Sequence, residues 1–149
     1  MSEIMQALYR GDEDRARRLA EEGELDVFEA ASLGRSDRLR ELLERDPRLA
    51  SARADDDFTP LHYAAFFGDA ASARVLVEHG ADVNAFADNE LGVHPLNSAA
   101  AARNVEVARI LLEHGADAGA PTRSGYTPLD AAAENGDEAL TELLRSHGA

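Results

Sequence analysis

Histidine and carboxylate side chains are the groups in this sequence that could hold a metal or move a proton. The chain carries five histidines, 29 acidic residues and no cysteine. Three of the histidines share one phrase, His79 in VEHGAD, His114 in LEHGAD and His147 in RSHGA, at spacings of 35 and 33 residues. A regular ladder of this kind raises the question of zinc. Distance answers it, because neighbouring packed helices lie roughly 8–10 Å apart. Ligands of one zinc ion each sit about 2 Å from the metal. The ladder instead reads as a residue that tolerates positive charge at helix C-termini, where the backbone gathers partial negative charge. Hydroxyls offer no better chemistry. Thr59 and Thr127 precede prolines, as helix caps do, and no serine stands in a nucleophile-elbow pattern. There is no glycine-rich phosphate loop. Nothing marks two carboxylates held in an apolar pocket with split proton affinities. The expectation is a protein without catalytic residues, metal or cofactor.

The elements that carry these residues come in copies. TPLHYAAFFGDA (59–70) returns as HPLNSAAAARNV (94–105) and TPLDAAAENGDE (127–138), with Pro60, Pro95 and Pro128 spaced by 35 and 33 residues. An earlier copy, VFEAASLGRSDRLRELLERDP, sets Ala30, Ala31 and Gly34 at 34 residues before Ala64, Ala65 and Gly68. Before it, RGDEDRARRLAEEG matches LGRSDRLRELLERD at an offset of 23, without a connecting loop.

Each copy reads as two short helices. Thr59 caps the first, and Pro60 sits at the first helical position, where its missing N–H costs nothing. Asp130 can complete a capping box with Thr127, and Asp26 can cap the early copy that lacks Thr-Pro. Gly68 ends the first helix. AASARVLVEH follows with Ala73, Leu76 and Val77 on one face, and Gly80 supplies a left-handed cap. Such a pair cannot bury its apolar face alone, so neighbours must stack, and the paired alanines let first helices approach closely.

Thr-Pro-Leu-His, a paired Ala-Ala, a Gly and an apolar helix ending in GADVNA resemble the ankyrin repeat. The match is strongest at 59–85, clear at 94–119 and 127–149, and weak at 27–57. The resemblance implies an all-α solenoid of stacked helix pairs with projecting hairpin-like loops. The first helices and loop tips would form a concave surface that binds other proteins. It also implies a structural hydrogen-bonding role for His62, and marks Asn84 as the loop asparagine hydroxylated in some animal members. The organisation expected is one domain over 1–149. It comprises an N-terminal capping pair at 2–24, a degenerate repeat at 25–57, repeats at 58–92 and 93–125, and a C-terminal cap at 126–149. Glu138 and Arg145 replace the apolar Val105 and Leu112, and Arg18 replaces Val75, Ile110 and Leu143. Charge at both ends, with Met1 at the start, points to a complete monomer. The alternative is a C-terminal edge that pairs with a second copy. The third repeat departs from the pattern, with His94, Asn97 and Arg103 for Thr, His and Gly. Its preceding loop is two residues longer, so weaker capping and a strained or altered turn are expected there.

Positions that the family pattern leaves free are the candidate partner-binding residues. On the loops they are Asp55, Asp56 and Phe58 (with Asp57 at the glycine position), then Glu90, Leu91 and Val93, then Arg123, Ser124 and Tyr126. On the helices they are Ser32-Leu33, Phe66-Phe67, Ala101-Ala102 and Glu134-Asn135. Phe58, Phe66 and Phe67 cluster in one repeat beside the small Ala101-Ala102, and acids surround them. One of Phe66 and Phe67 is expected to pack inward.

Fifteen basic residues, all arginine, leave a net charge of −14. That field repels nucleic acid and anionic lipid and attracts basic partners. The start of the chain lacks a basic then apolar block, so no signal peptide is read and a cytoplasmic location is expected. The functional expectation is a non-catalytic protein-interaction module whose concave face takes a basic, partly apolar protein. The alternative is an inhibitor or immunity-type protein masking a basic enzyme or toxin surface.

Overall fold

The computed structural model describes residues 1–149. Ten α-helices follow in order, with a 3-10 turn at Pro47–Ser51 after the fourth. They pair as α1 (Glu3–Tyr9) with α2 (Glu13–Ala20), α3 (Val27–Ser32) with α4 (Ser36–Arg45), and α5 (Pro60–Phe66) with α6 (Ala70–Glu78). Then come α7 (Pro95–Ala101) with α8 (Val105–Glu113) and α9 (Pro128–Asn135) with α10 (Glu138–Ser146). The first helices α3, α5, α7 and α9 pack side by side, and α4, α6, α8 and α10 form a second row behind them. The architecture is the expected all-α solenoid. No helix is long and apolar enough to cross a membrane.

One continuous core runs between the rows. Leu39, Leu43, Leu61, Leu76, Leu111, Leu140 and Leu144 are fully buried in it. Ile4, Met5 and Leu8 of α1 and Ala16 and Ala20 of α2 join the same core. The alanines at 30, 31, 64, 65, 99 and 100 are completely buried, as close packing of first helices requires. Ala133 is exposed, since no later helix in this chain covers it. Glu138, Arg145 and Arg18 are exposed, while the apolar residues at their equivalent positions are buried or half-buried.

Capping follows local chemistry. Thr59 and Thr127 cap α5 and α9, Asp130 returns a bond to the Thr127 N–H at 2.9 Å, and Asp26 forms a full box with Glu29. In α7, the Asn97 Oδ1 accepts from the His94 N–H at 2.8 Å, so Asn97 supplies the returning half of a box. The histidine ladder is resolved by its bonds. Nδ1 of His79, His114 and His147 lies 2.7, 2.8 and 3.0 Å from the carbonyl one turn earlier, and must carry a proton to donate to it. These histidines satisfy orphan carbonyls at helix ends.

Arg103 adopts the strained turn, with φ of 58°, where its counterparts Gly34 and Gly136 have 69° and 62°. A side chain in this region costs about 1–2 kcal/mol. Arg103→Gly is therefore expected to stabilise the protein by about 1 kcal/mol, read as a higher urea midpoint at unchanged m-value. A lower midpoint would show that the arginine side chain contributes more than the strain costs.

Candidate functional site: an apolar cleft between the loops and first helices

The loops determine how the site opens. Each is closed by a backbone bond between its arms: Ala54 N–H to Phe58 O at 2.9 Å, Ala87 to Val93 at 2.9 Å, and Thr122 to Tyr126 at 2.7 Å. The middle pair is separated by two more residues than the others, so the extra length is absorbed inside the hairpin. Asp57 takes the left-handed conformation at the loop-tip glycine position, with φ of 68°.

Loop-to-loop bonds then set the spacing of the tips. Arg53 donates to Phe86 O at 2.9 Å and pairs with Asp57. The Asp57 carboxylate accepts the Asp88 N–H at 2.7 Å, and Asn89 donates to Asp56 O at 2.8 Å. Arg123 pairs with Asp88, donates to Asn89 O, and lies 5.5 Å from the centre of the Phe86 ring. Asn84 spans the next connection, donating to Gly115 O and accepting from Asp117 N–H.

His62 joins helix to loop. Its Nε2 donates to Val93 O at 3.0 Å, and its Nδ1 accepts from the Thr59 N–H at 3.2 Å. Burial, at 2% exposure, lowers its pKa to about 4, so the ring is neutral at pH 7. The bonding pattern requires the proton on Nε2. This is the structural role implied by the resemblance.

Between loops and first helices lies a cleft of about 230 Å³. It gathers Phe58, Phe66, Phe67, Leu91, Val93 and Tyr126 from the candidate positions. Phe66 is 46% exposed and Leu91 64% exposed. Phe67 is half-buried and packs on the core, with its ring 4.9 Å from that of Phe66. Adjacent phenylalanines thus divide, one outward and one inward. Ala101 lines the cleft and Ala102 does not.

Asp55, Asp56, Glu90 and Arg123 lie elsewhere. Asp55 and Glu90 are exposed and do not line the cleft; Asp55 lines a separate depression with Met5, Phe28 and Tyr63. Arg123 is the clamp just described. Asp56 turns to the tyrosines: its oxygens accept from the Tyr63 hydroxyl at 2.7 and 2.9 Å, and Tyr9 Oη stands 3.4 Å away. Burial, reinforced by that carboxylate, raises the Tyr63 pKa, so the phenol stays protonated and donating. Tyr126 is tied through its hydroxyl to Glu134.

Tyr9 is a cleft residue that the family positions did not include. It is 46% exposed and meets Phe67 edge-on, with ring centres 5.3 Å apart. A signal for it was present. The offset of 23 places Tyr9 on Ser32, and therefore on Phe66, Ala101 and Glu134.

The arrangement defines a class of protein: a helix-pair solenoid with an apolar cleft between its loops and first helices. No group of three or more His, Asp or Glu side chains is placed to hold a metal. A family model for three ankyrin repeats matches residues 2–87, one for many-copy ankyrin repeats matches 76–132, and one for a single ankyrin repeat matches 124–149. The chain belongs to the ankyrin-repeat family, a non-catalytic scaffold with a general role in protein–protein interaction.

Among curated proteins, it is 51% identical over 47 residues to the serine/threonine-protein kinase VIK of Arabidopsis thaliana, covering 32% of this chain and 11% of the kinase. It is 36% identical over 88 residues to alpha-latrocrustotoxin-Lt1a of Latrodectus tredecimguttatus, covering 59% of this chain and 6% of the toxin. The chain thus spans a small fraction of the curated relatives it matches.

Proposed function

We propose that this protein is an interaction module whose concave cleft holds a basic, partly apolar protein partner. The observation that carries the reading is an open apolar cleft, with Phe66 and Leu91 bare at its mouth, in a chain of net charge −14. Full burial of a phenylalanine is worth about 1.5–3 kcal/mol, enough for one ring to act as an anchor. The acidic field supplies steering and selects against acidic partners.

The test uses Phe66→Ser. Phe66 is exposed, so the fold tolerates the change, whereas Phe67→Ser would disturb the core. Immobilised wild type is expected to retain a basic protein that Phe66→Ser loses and that rising salt releases. Equal retention by both proteins would remove the cleft from the reading. Retention indifferent to salt would remove its electrostatic half. A single stoichiometric partner of high affinity would favour the inhibitor or immunity role within the same geometry.

A further inference from the structure

The five first helices present one equivalent position to the concave side: Tyr9, Ser32, Phe66, Ala101 and Glu134. Ser32 is buried and its hydroxyl bonds back to Phe28 O, so it does not project. Tyr9 therefore reaches across α3 to the α5 repeat, where its ring edge meets Phe67 and its hydroxyl meets Asp56. Ala101 leaves the next position low, and Ala131 of α9 lines the far side. The result is a trough closed at one end by an aromatic ring that no neighbouring repeat supplies.

We propose that this trough seats one large apolar side chain of a cationic peptide, and that Tyr9, delivered by the N-terminal helix pair, is the wall that completes it. The inference rests on the concave-face reading above. Charge decides the occupant. None of the ion pairs uses Asp55 or Glu90, while the nearby cations Arg53 and Arg123 are held by Asp57 and Asp88. Unpaired carboxylates thus stand on the same loops as the cleft residues, Glu90 next to Leu91 and Asp55 three residues before Phe58, which suits an apolar residue with arginine or lysine beside it. A second copy of this chain, also at −14, would be repelled.

Asp56 acts here as a positioning residue. Its carboxylate is spent on the Tyr63 hydroxyl and lies against that of Tyr9, so it orients the wall and does not meet the peptide. Partner binding and docking of the N-terminal pair are then coupled, since the bound peptide holds Tyr9 in place.

The experiment follows the alanine methyl signals of the full chain by NMR during titration with a capped seven-residue peptide of alternating Arg and Ser, with Leu at its centre. The Ala101 and Ala131 methyls are expected to shift. Affinity should fall about tenfold when Ala replaces the central Leu, and about tenfold in Tyr9→Ala, as for loss of an anchor or its wall. Tyr9→Phe, which keeps the ring but loses its bond to Asp56, should weaken binding less than Tyr9→Ala does and about as much as Asp56→Asn. Asp56→Asn should weaken binding while leaving its salt dependence unchanged.

Ala101→Phe fills the trough from another helix and should abolish the shift of the Ala131 methyl. It keeps the test valid if Tyr9→Ala loosens the N-terminal pair. Equal binding of the Leu and Ala peptides, or no methyl shift at all, overturns the proposal. So does equal binding of a peptide with Ser in place of Arg, which would mark a site for free apolar molecules. Self-association of the chain through this face would overturn it as well. A partner lost by Phe66→Ser but kept by Tyr9→Ala would leave the interaction module standing and remove the seat.

Discussion

Gly68→Ala is expected to destabilise the protein by about 3 kcal/mol, the upper range for overpacking a close-packed site. A Cβ at residue 68 would lie 2.3 Å from Ala31 O and 2.9 Å from Ala64 Cα and O. All three are backbone atoms of α3 and α5, so no side chain can swing aside. The helices must separate, and with them the wall that holds Tyr9 against Phe67. Gly68 is not left-handed, unlike Gly34 and Gly136, so its requirement is clearance.

Gly136→Ala is the control. It has φ of 62° and no atom within 4 Å of the added Cβ. Its cost is conformational alone, about 1 kcal/mol. Urea unfolding of both variants should rank Gly68→Ala as clearly the more damaging. The reverse ranking would mean that α3 and α5 do not approach through Gly68.

The second large effect is on pH. His62 has an unfolded pKa of about 6.5 and a folded pKa of about 4, lowered first by burial. Above pH 6.5 both states are neutral, and His62 adds no pH dependence. Between pH 6.5 and 4 the unfolded chain takes up a proton that the folded chain refuses. Stability then falls by about 1.4 kcal/mol per pH unit, roughly 3 kcal/mol in all. Below pH 4 both states are protonated and this contribution levels off. The proton is refused for a structural reason. Nδ1 is the acceptor for the Thr59 N–H, so protonation breaks the cap of α5. Asp130, whose pKa is lowered by its bonds to Thr127, loses its stabilising effect only at more acid pH. Wild type and His62→Gln, unfolded in urea from pH 7 to pH 4, should therefore converge as pH falls. Parallel profiles would show that His62 protonates without opening its bonds.

The repeat and its caps were legible in the sequence because they depend on residues close in the chain. Thr-Pro, Ala-Ala and His-Gly at fixed spacing are enough to start a helix, pack it and end it. Asp26 and Asp130 could be assigned as caps for the same reason. The strain at Arg103 followed from a glycine position occupied by arginine.

What the tertiary structure decided concerns neighbours that are distant in sequence. Two adjacent phenylalanines have the same local preferences, and only the turn of α5 against its neighbours sends Phe66 outward and Phe67 inward. Asp56 and Arg123 looked like free surface charge. The first turns of α5 set the Tyr63 hydroxyl on Asp56, and the stacking of one loop on another brought a carboxylate, a carbonyl and a phenylalanine ring to Arg123. Tyr9 lies in the copy without the motif, and its meeting with Phe67 exists only after α3 is packed between them. Local spacing thus determined that this chain is an ankyrin stack. Which of its surface residues remain available to a partner depended on long-range packing, because a side chain is free only if no other repeat has reached it.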